Sequence, residues 1–439
     1  MPPRVPGARA MTALETLGPI LAPRSGPEAT SYRVALGDLP TALAALSREG
    51  GWSLEDLFAI DRGPAVADAG RFEVVYRFAR GDAARTLVLG ALVDEAETVP
   101  SAAEAWSAAD WCEREIHDLF GLRFAGHPAL TRLLTHRDFR GHPLRKDHVA
   151  AGPQPLEAPD DLVAALGPWG ENPADDGLSE FVPCDFGPLH PLMRGVARML
   201  VKLDGERIAR AVFEIGYQHK GVEKIGESCT WDGFAPLAER LLPASPLTAR
   251  LAWHHAVEEL LDVTPPEGAL LLRVLGAELE RVAAHARAIA ATAAGFGETA
   301  ATVALAASVP AIPDFLARAR LRDDDGLGGF RDGPPQDLAE GVRDALAGLV
   351  AGLDAARTAT VENGVFRARG RGLGRLSAPA ALAAGATGPM LRSAGVGRDR
   401  RRDDPRGPWR RVGIRPELAI ARGADVLART ELRFAEIRA

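Results

Sequence analysis

Trp111-Cys-Glu-Arg-Glu-Ile-His-Asp-Leu-Phe-Gly-Leu-Arg-Phe-Ala-Gly-His127-Pro128, resumed at Gly141-His-Pro-Leu-Arg-Lys-Asp147, carries more chemistry per residue than any other part of the chain. Glu113, Arg114, Glu115 and Asp118 crowd the end of an expected helix, where side chains three and four apart are neighbours and one guanidinium can fork between carboxylates. Two readings fit. The charges form a cluster satisfied within the fold, or, with His142, Arg145, Lys146 and Asp147, they form a docking surface.

Upstream of that stretch, Ser31 to Leu36, Phe72 to Phe78 and Thr86 to Val93 are rich in β-branched and aromatic residues and predict strands. Leu39 to Leu46 has helical apolar spacing, and Ser101-Ala-Ala-Glu104 has the pattern of a capping box ahead of the charged helix. An α+β domain over 28–150 follows, behind an irregular tail at 1–27. No Lys or Arg occurs from His148 to Met193, and Pro153, Pro155, Pro159, Pro168 and Pro173 break any long helix, so 151–180 reads as an acidic, Pro-rich linker. A second domain, 181–439, opens with a β-hairpin, Arg198 to Leu203 and Arg207 to Ile215 about an Asp204-Gly205 turn. It continues as helices over Leu251 to Leu261, Leu270 to Ala290 and Leu338 to Leu353, with a loop at Asp323 to Pro335 and a final strand or helix from Ala419.

The 439 residues are 46% hydrophobic and 25% charged, which excludes a fibre or a wholly disordered chain. A net charge of -7 gives no global reason to expect nucleic-acid binding. Arg392 to Arg415 holds nine arginines against three aspartates, but Trp409 is its one aromatic, so it is expected to face a partner or lipid headgroups rather than nucleic acid. The first thirty residues lack the apolar core of a signal peptide, and the charge-free stretch Thr299 to Pro313 is expected to be too short to span a bilayer. Cys112, Cys184 and Cys229 stand far apart with no CxxC pair, and no G-x-G-x-x-G follows a strand. The residues therefore predict no bound metal and no nicotinamide site.

The opening words closely resemble the signature of the C-type subunit of bacterial NADH-quinone oxidoreductase, respiratory complex I, where the element docks and carries no cofactor. Asp185-Phe-Gly-Pro-Leu-His190-Pro-Leu-Met-Arg194, Ile215-Gly-Tyr-Gln-His219-Lys-Gly-Val-Glu223-Lys224, Leu275-Gly-Ala-Glu-Leu-Glu-Arg-Val-Ala-Ala-His285 and Thr387-Gly-Pro-Met-Leu-Arg392 resemble the D-type subunit of the same complex. The D-type subunit shares its fold with the large subunit of nickel-iron hydrogenases, and the C-then-D order also occurs in membrane-bound group 4 hydrogenases. The resemblance implies a mainly helical, hydrogenase-large-subunit-like second domain, C-terminally short.

Against that pattern, Leu242 and Ser245 stand where the first pair of nickel thiolates would be, so the resemblance implies no nickel. The quinone-binding His, Tyr and Asp of the family fall on Arg194, Pro243 and Gly295, which makes direct quinone binding doubtful. Arg240 and His285 match the residues associated with a partner's iron-sulfur cluster, and His190, Arg194 and His219 are candidates for lining an acceptor cavity. The expectation is a peripheral subunit on the cytoplasmic face of the inner membrane. It would work with an iron-sulfur small subunit and with antiporter-like and other membrane subunits, coupling electron transfer to ion movement. A quinone-reducing subunit and a non-catalytic scaffold are the alternatives.

Overall fold

A computed structural model describes residues 17–23, 30–64, 70–80, 85–136, 139–149, 154, 182–190, 196–318, 336–404 and 406–439. Arg194, the loop expected at 323–335 and the linker expected at 151–180, Gln154 apart, lie outside the described residues.

The aromatic and β-branched runs of the first region form strands because they can bury a face against helices. In chain order the elements are β1 (Ala22–Pro23), β2 (Ser31–Arg33), α1 (Leu39–Glu49), β3 (Trp52–Asp61), β4 (Phe72–Arg80), β5 (Arg85–Val93), β6 (Thr98–Pro100), α2 (Ala108–Phe120) and β7 (Arg123–Ala125). A five-stranded sheet has the order β1-β2-β5-β4-β3, antiparallel except for the parallel β2–β5 pair. β3 is an addition to the strands expected from sequence. Its register shifts between Leu54 and Asp56, so Glu55 and Asp56 interrupt the period-2 pattern that would have revealed it.

Phe72, Tyr76 and Phe78 of β4 are fully buried, and the Phe78 ring lies 4.9 Å from that of Trp106. Each such side chain contributes roughly 1.5–3 kcal/mol by leaving water. The Trp106 indole donates to the Trp52 carbonyl at 2.8 Å, whereas the buried Tyr76 hydroxyl has no hydrogen-bond partner among the described residues. The capping box expected at Ser101 does not form. α2 starts seven residues later, and Ser101 Oγ instead donates to Glu113 at 2.6 Å, because a fully buried carboxylate needs donors more than a solvated turn does.

The second region contains β8 (Val182–Phe186), β9 (Arg198–Asp204) and β10 (Arg207–Glu214), an antiparallel sheet of order β10-β9-β8. Asp204 pairs with Arg207, so the hairpin turn is Gly205-Glu206, one residue beyond the expected pair. Helices follow: α3 (Val222–Gly226), α4 (Trp231–Ala238), α5 (Pro246–Leu261), α6 (Glu267–Gly295), α7 (Thr299–Ser308), α8 (Ala311–Arg318), α9 (Leu338–Ala359), α10 (Gly364–Gly370), α11 (Ala378–Ala383), α12 (Gly388–Arg392), α13 (Arg400–Asp403), α14 (Pro408–Arg411) and α15 (Val426–Arg438). α6 buries Leu279, Val282, Ala283, Ala286, Ile289, Ala290 and Ala293 at helical spacing, and α7, α8, α9 and α15 pack around it. The segment left open between strand and helix is therefore α15, started by Asp425, whose side chain accepts from the Ala428 amide.

Thr299–Ala317, nineteen residues and so longer than the charge-free stretch to Pro313, is by length and composition alone long and apolar enough to cross a membrane. It consists of two helices, α7 and α8, and Ala301, Leu305, Val309, Ile312, Phe315 and Leu316 are buried in the second core. Helices buried in soluble proteins share these traits.

Charged contacts join the two regions. Lys146 Nζ meets Glu227 at 2.5 Å, and Lys224 Nζ donates to the Arg145 carbonyl at 2.9 Å. Gly216, at φ +101°, sits so close to the first region that a Cβ would lie 2.3 Å from the Leu134 carbonyl oxygen. The first part of the arginine-rich run at 392–415, expected to face a partner or lipid, turns inward instead, and its later arginines Arg410, Arg411 and Arg415 are exposed. Arg398 donates to Ser53 Oγ at 2.9 Å and Arg400 pairs with Glu55, both on β3. Arg401 pairs with Asp399 and Glu278, Arg406 with Glu259, and Arg392 is buried on Glu436. Carboxylates on β3, α5, α6 and α15, with Asp399 of the run itself, pair with five of its nine arginines, which composition alone could not reveal.

Candidate functional site

The charged word of α2 is largely an internal structure. Asp118, with no exposed surface, accepts from the amides of Leu133, Leu134 and Thr135, from Thr135 Oγ1 at 2.5 Å and from Arg132 at 2.7 Å. Burial works to raise its pKa, but hydrogen bonds from Thr135, Arg132 and Leu134 hold it below the ordinary carboxylate value. Glu113 accepts from Ser101 and from the Ala102 amide, and burial leaves its pKa raised. Arg114 donates to the carbonyls of Thr131 and Arg132. Glu115 is half-buried, and burial, reinforced by Glu223, Asp56 and Asp118, pushes its pKa up to about 7.

The second half of the word folds back over the end of α2. Gly121 closes that helix at φ +80°, and a Cβ there would come within 2.6 Å of His142 and Arg145. His142 Nδ1 donates to the Asp118 carbonyl at 2.9 Å, and burial lowers its pKa. Arg145 donates to the Phe120 carbonyl, and Asp147 pairs with Arg71, which also binds the buried Asp61. Of the eight expected docking residues, Lys146 pairs with Glu227 of the second region, and Glu115 lies near enough to Glu223 to feel its charge.

His285 lies on α6 and is 5% exposed. Its Nε2 is 3.1 Å from Glu436 Oε2, and its Nδ1 is 3.2 Å from Arg433 NH1; both partners are on α15. Glu436 in turn accepts from Arg392 Nε at 2.5 Å, and Arg392 reaches Asp399 at 3.3 Å. Burial pushes the Glu436 carboxyl up, but the adjoining His285 ring and the Arg392 guanidinium outweigh it and draw the pKa down to about 2. For His285, burial lowers the pKa by more than Glu436 raises it, with Arg433 and Arg281 adding to the lowering. Glu436, Arg433 and Arg392 were not among the candidates read from sequence. The i, i+3 spacing of Arg433 and Glu436 shows that they share a helical face, but only the packing of α15 on α6 shows what that face meets.

Arg240, the residue expected beside His285, is exposed in the turn after α4, where its carbonyl accepts from Lys220 at 3.3 Å. The next residues carry Leu242 and Ser245, and Leu242 is exposed. Arg287 of α6 donates to the Ala244 carbonyl at 2.7 Å. Glu280, two turns earlier on the same helix, accepts from the Leu247 and Thr248 amides and from Thr248 Oγ1 at 2.6 Å. A buried carboxylate thus satisfies the first free amides of α5 and complements its positive end. The turn is pinned to α6, but it presents an alkyl chain and a hydroxyl where a nickel site needs thiolates, so nickel does not fit. Quinone fits no better: Pro243 has no donor, and Gly295, the last residue of α6, has no side chain. Among the described residues, no group of three or more His, Cys, Asp or Glu could hold a metal ion.

His190 and His219 follow β8 and β10, which leave the small sheet at the same end, since Phe186 pairs with Met199 and Met199 with Phe213. His190 packs edge-on against Phe186, with ring centroids 5.1 Å apart. Arg198 braces this end by pairing with Asp185 at 2.6 Å and Glu214 at 3.2 Å.

Comparison with known proteins gives this arrangement a lineage. Residues 32–154 match the family model of the respiratory-chain NADH dehydrogenase 30 Kd subunit, and residues 320–439 match that of the 49 Kd subunit. The C/D subunit of NADH-quinone oxidoreductase from Gluconacetobacter diazotrophicus is 34% identical, with 93% of this chain and 70% of that protein aligned. The protein of the same name from Bdellovibrio bacteriovorus is 32% identical over 98% of this chain and 78% of its own length, and that of Acidiphilium cryptum 33% identical over 88% and 68%. Both halves and their order are thereby accounted for, and the chain belongs to the C/D-subunit family of NADH-quinone oxidoreductases, as an oxidoreductase subunit related to complex I.

Proposed function

We propose that this chain works in the peripheral arm of a complex I-like oxidoreductase on the cytoplasmic face of the inner membrane, beside an iron-sulfur small subunit. In this reading it couples electron arrival at the partner's cluster to a membrane module of antiporter-like and other subunits, and it holds no metal itself. The observation that carries the reading is the buried His285–Glu436–Arg392 centre. A titratable imidazole fixed between an anion and a cation, on the helix that also pins the Arg240–Ser245 turn, is suited to tying the potential of a neighbouring redox group to a proton. The kinship with group 4 hydrogenase large subunits rests on the sequence words alone.

The test is the midpoint potential of the partner's cluster, measured against pH in the assembled complex. His285→Gln should shift that potential and flatten its pH dependence while assembly persists. An unshifted potential would leave the scaffold reading. Quinone reduction at this chain should be weak, because Pro243 and Gly295 offer no group to polarise a reduced headgroup. Tight, inhibitor-sensitive quinone reductase activity that is lost on changing His190 would support the quinone-reducing reading, the activity that the relatives' name carries.

A further inference from the structure

An arginine does not accept a hydrogen bond, so the 3.2 Å contact between Arg433 NH1 and His285 Nδ1 has one polarity: the guanidinium donates and Nδ1 accepts. The ring proton must then sit on Nε2, which faces Glu436 Oε2 at 3.1 Å. The arrangement is self-consistent because Glu436 is kept anionic by Arg392, and Arg281 of α6 adds a further donor to the Glu436 carbonyl at 2.7 Å. The charged groups facing the imidazole are therefore Glu436 and Arg433 from α15 and Arg281 from its own helix, with Arg392 of α12 acting through Glu436.

We propose that Arg433 and Glu436 are positioning residues that hold His285 as the neutral Nε2–H imidazole, and that Arg433 gates protonation of Nδ1. The inference deepens the reading of His285 as the proton-coupled group and rests on it. A proton can reach Nδ1 only when the Arg433 guanidinium withdraws, and Arg433, half-buried where His285 and Glu436 are buried, is the most exposed of the three. Negative charge arriving nearby favours both events, since it draws the guanidinium away and stabilises the imidazolium. Burial and the two arginines already hold the ring below its ordinary pKa, so the resting site is unprotonated near neutral pH.

The full chain, labelled with 15N-histidine, tests this directly, because the ring nitrogen shifts report tautomer and charge, and His285→Gln identifies the resonance. The parent should show the Nε2–H form with a midpoint below the ordinary value of 6.5. Arg433→Met should raise the midpoint by about one unit or more, and Glu436→Gln should lower it further. Folding of each variant is checked by the remaining histidine signals, and the opposite signs separate electrostatic control from general loosening, which would move both midpoints towards the ordinary value. An Nδ1–H tautomer in the parent, an ordinary midpoint, or no response to Arg433→Met overturns the proposal. These measurements involve no partner, so their failure is distinct from an unshifted cluster potential, which would sink the role of His285 itself.

Discussion

Asp118 and Glu436 are both buried carboxylates bound by arginine, and they are held in different ways. Asp118 is caged by a single loop, with three successive amides, one hydroxyl and Arg132 converging from residues 132–135. Glu436 is held by side chains from two other helices, Arg392 of α12 and His285 of α6. The first carboxylate is a structural keystone with all its lone pairs engaged. The second shares its charge with a titratable ring, so it can respond to that ring's protonation. Local cages suit permanence, and long-range networks suit coupling.

Removing Asp118 should have the largest effect. Asp118→Ala strands buried amides and a guanidinium, and urea unfolding should show a loss of about 3–5 kcal/mol. A loss of less than about 1 kcal/mol would mean that water replaces the cage, and the contrast with Glu436 would fail.

Glu436→Gln should cost about 1.5–3 kcal/mol, the scale of hydrogen bonds to a charged group. Its pH dependence sharpens the comparison. The Glu436 carboxyl is lowered from 4.5 to about 2 in the fold, so its contribution is full above pH 4.5 and is lost as pH falls towards 2. The stability gap between parent and Glu436→Gln should therefore close over that window, and a gap unchanged with pH would show that the carboxylate is not held ionised.

Glu280→Ala removes the carboxylate that caps α5 and should cost about 1–2 kcal/mol. Hydrogen exchange should accelerate at Leu247 and Thr248 in this variant while the amides of Leu133 to Thr135 stay protected. Faster exchange in both places would mean that the two regions do not loosen independently.

Glu55→Gln should have the smallest effect, about 0.5–1 kcal/mol, because two of its three partners, Arg77 and Arg400, are partly exposed and the third, Arg398, keeps its bond to Ser53. Its sharper readout is proteolysis at the junction between β3 and the 398–400 segment, which should become faster. Unchanged cleavage would assign the joining of the two regions to Lys146–Glu227 and Gly216 instead.

The sequence was most legible where the physics is local. The helices around Leu251, Leu270 and Leu338, the strands at Phe72 and Thr86 and the hairpin near Asp204 all repeat a period within a few turns or pairs, and each formed close to where the period placed it. β3 escaped because a register shift breaks its alternation, and Ser101 misled because a buried carboxylate outcompeted the local cap. Among the site residues, His285 was found from a sequence word, but Arg433 and Glu436, which set its proton, were not.

Periodicity, composition and short motifs are properties of neighbouring residues, and they suffice for the α+β and helical halves, the lack of any CxxC pair and the words that place the chain in its family. Folding alone brings five of the nine arginines of the 392–415 run to carboxylates, keeps most of the α2 charges inside their own region and holds His285 as one tautomer. Those outcomes depend on pairs as far apart as 148 residues for Arg433 and His285 and 345 for Arg398 and Ser53. Nothing in the local chain fixes such a distance, and it is set when α15 packs on α6 and the 398–400 segment meets β3.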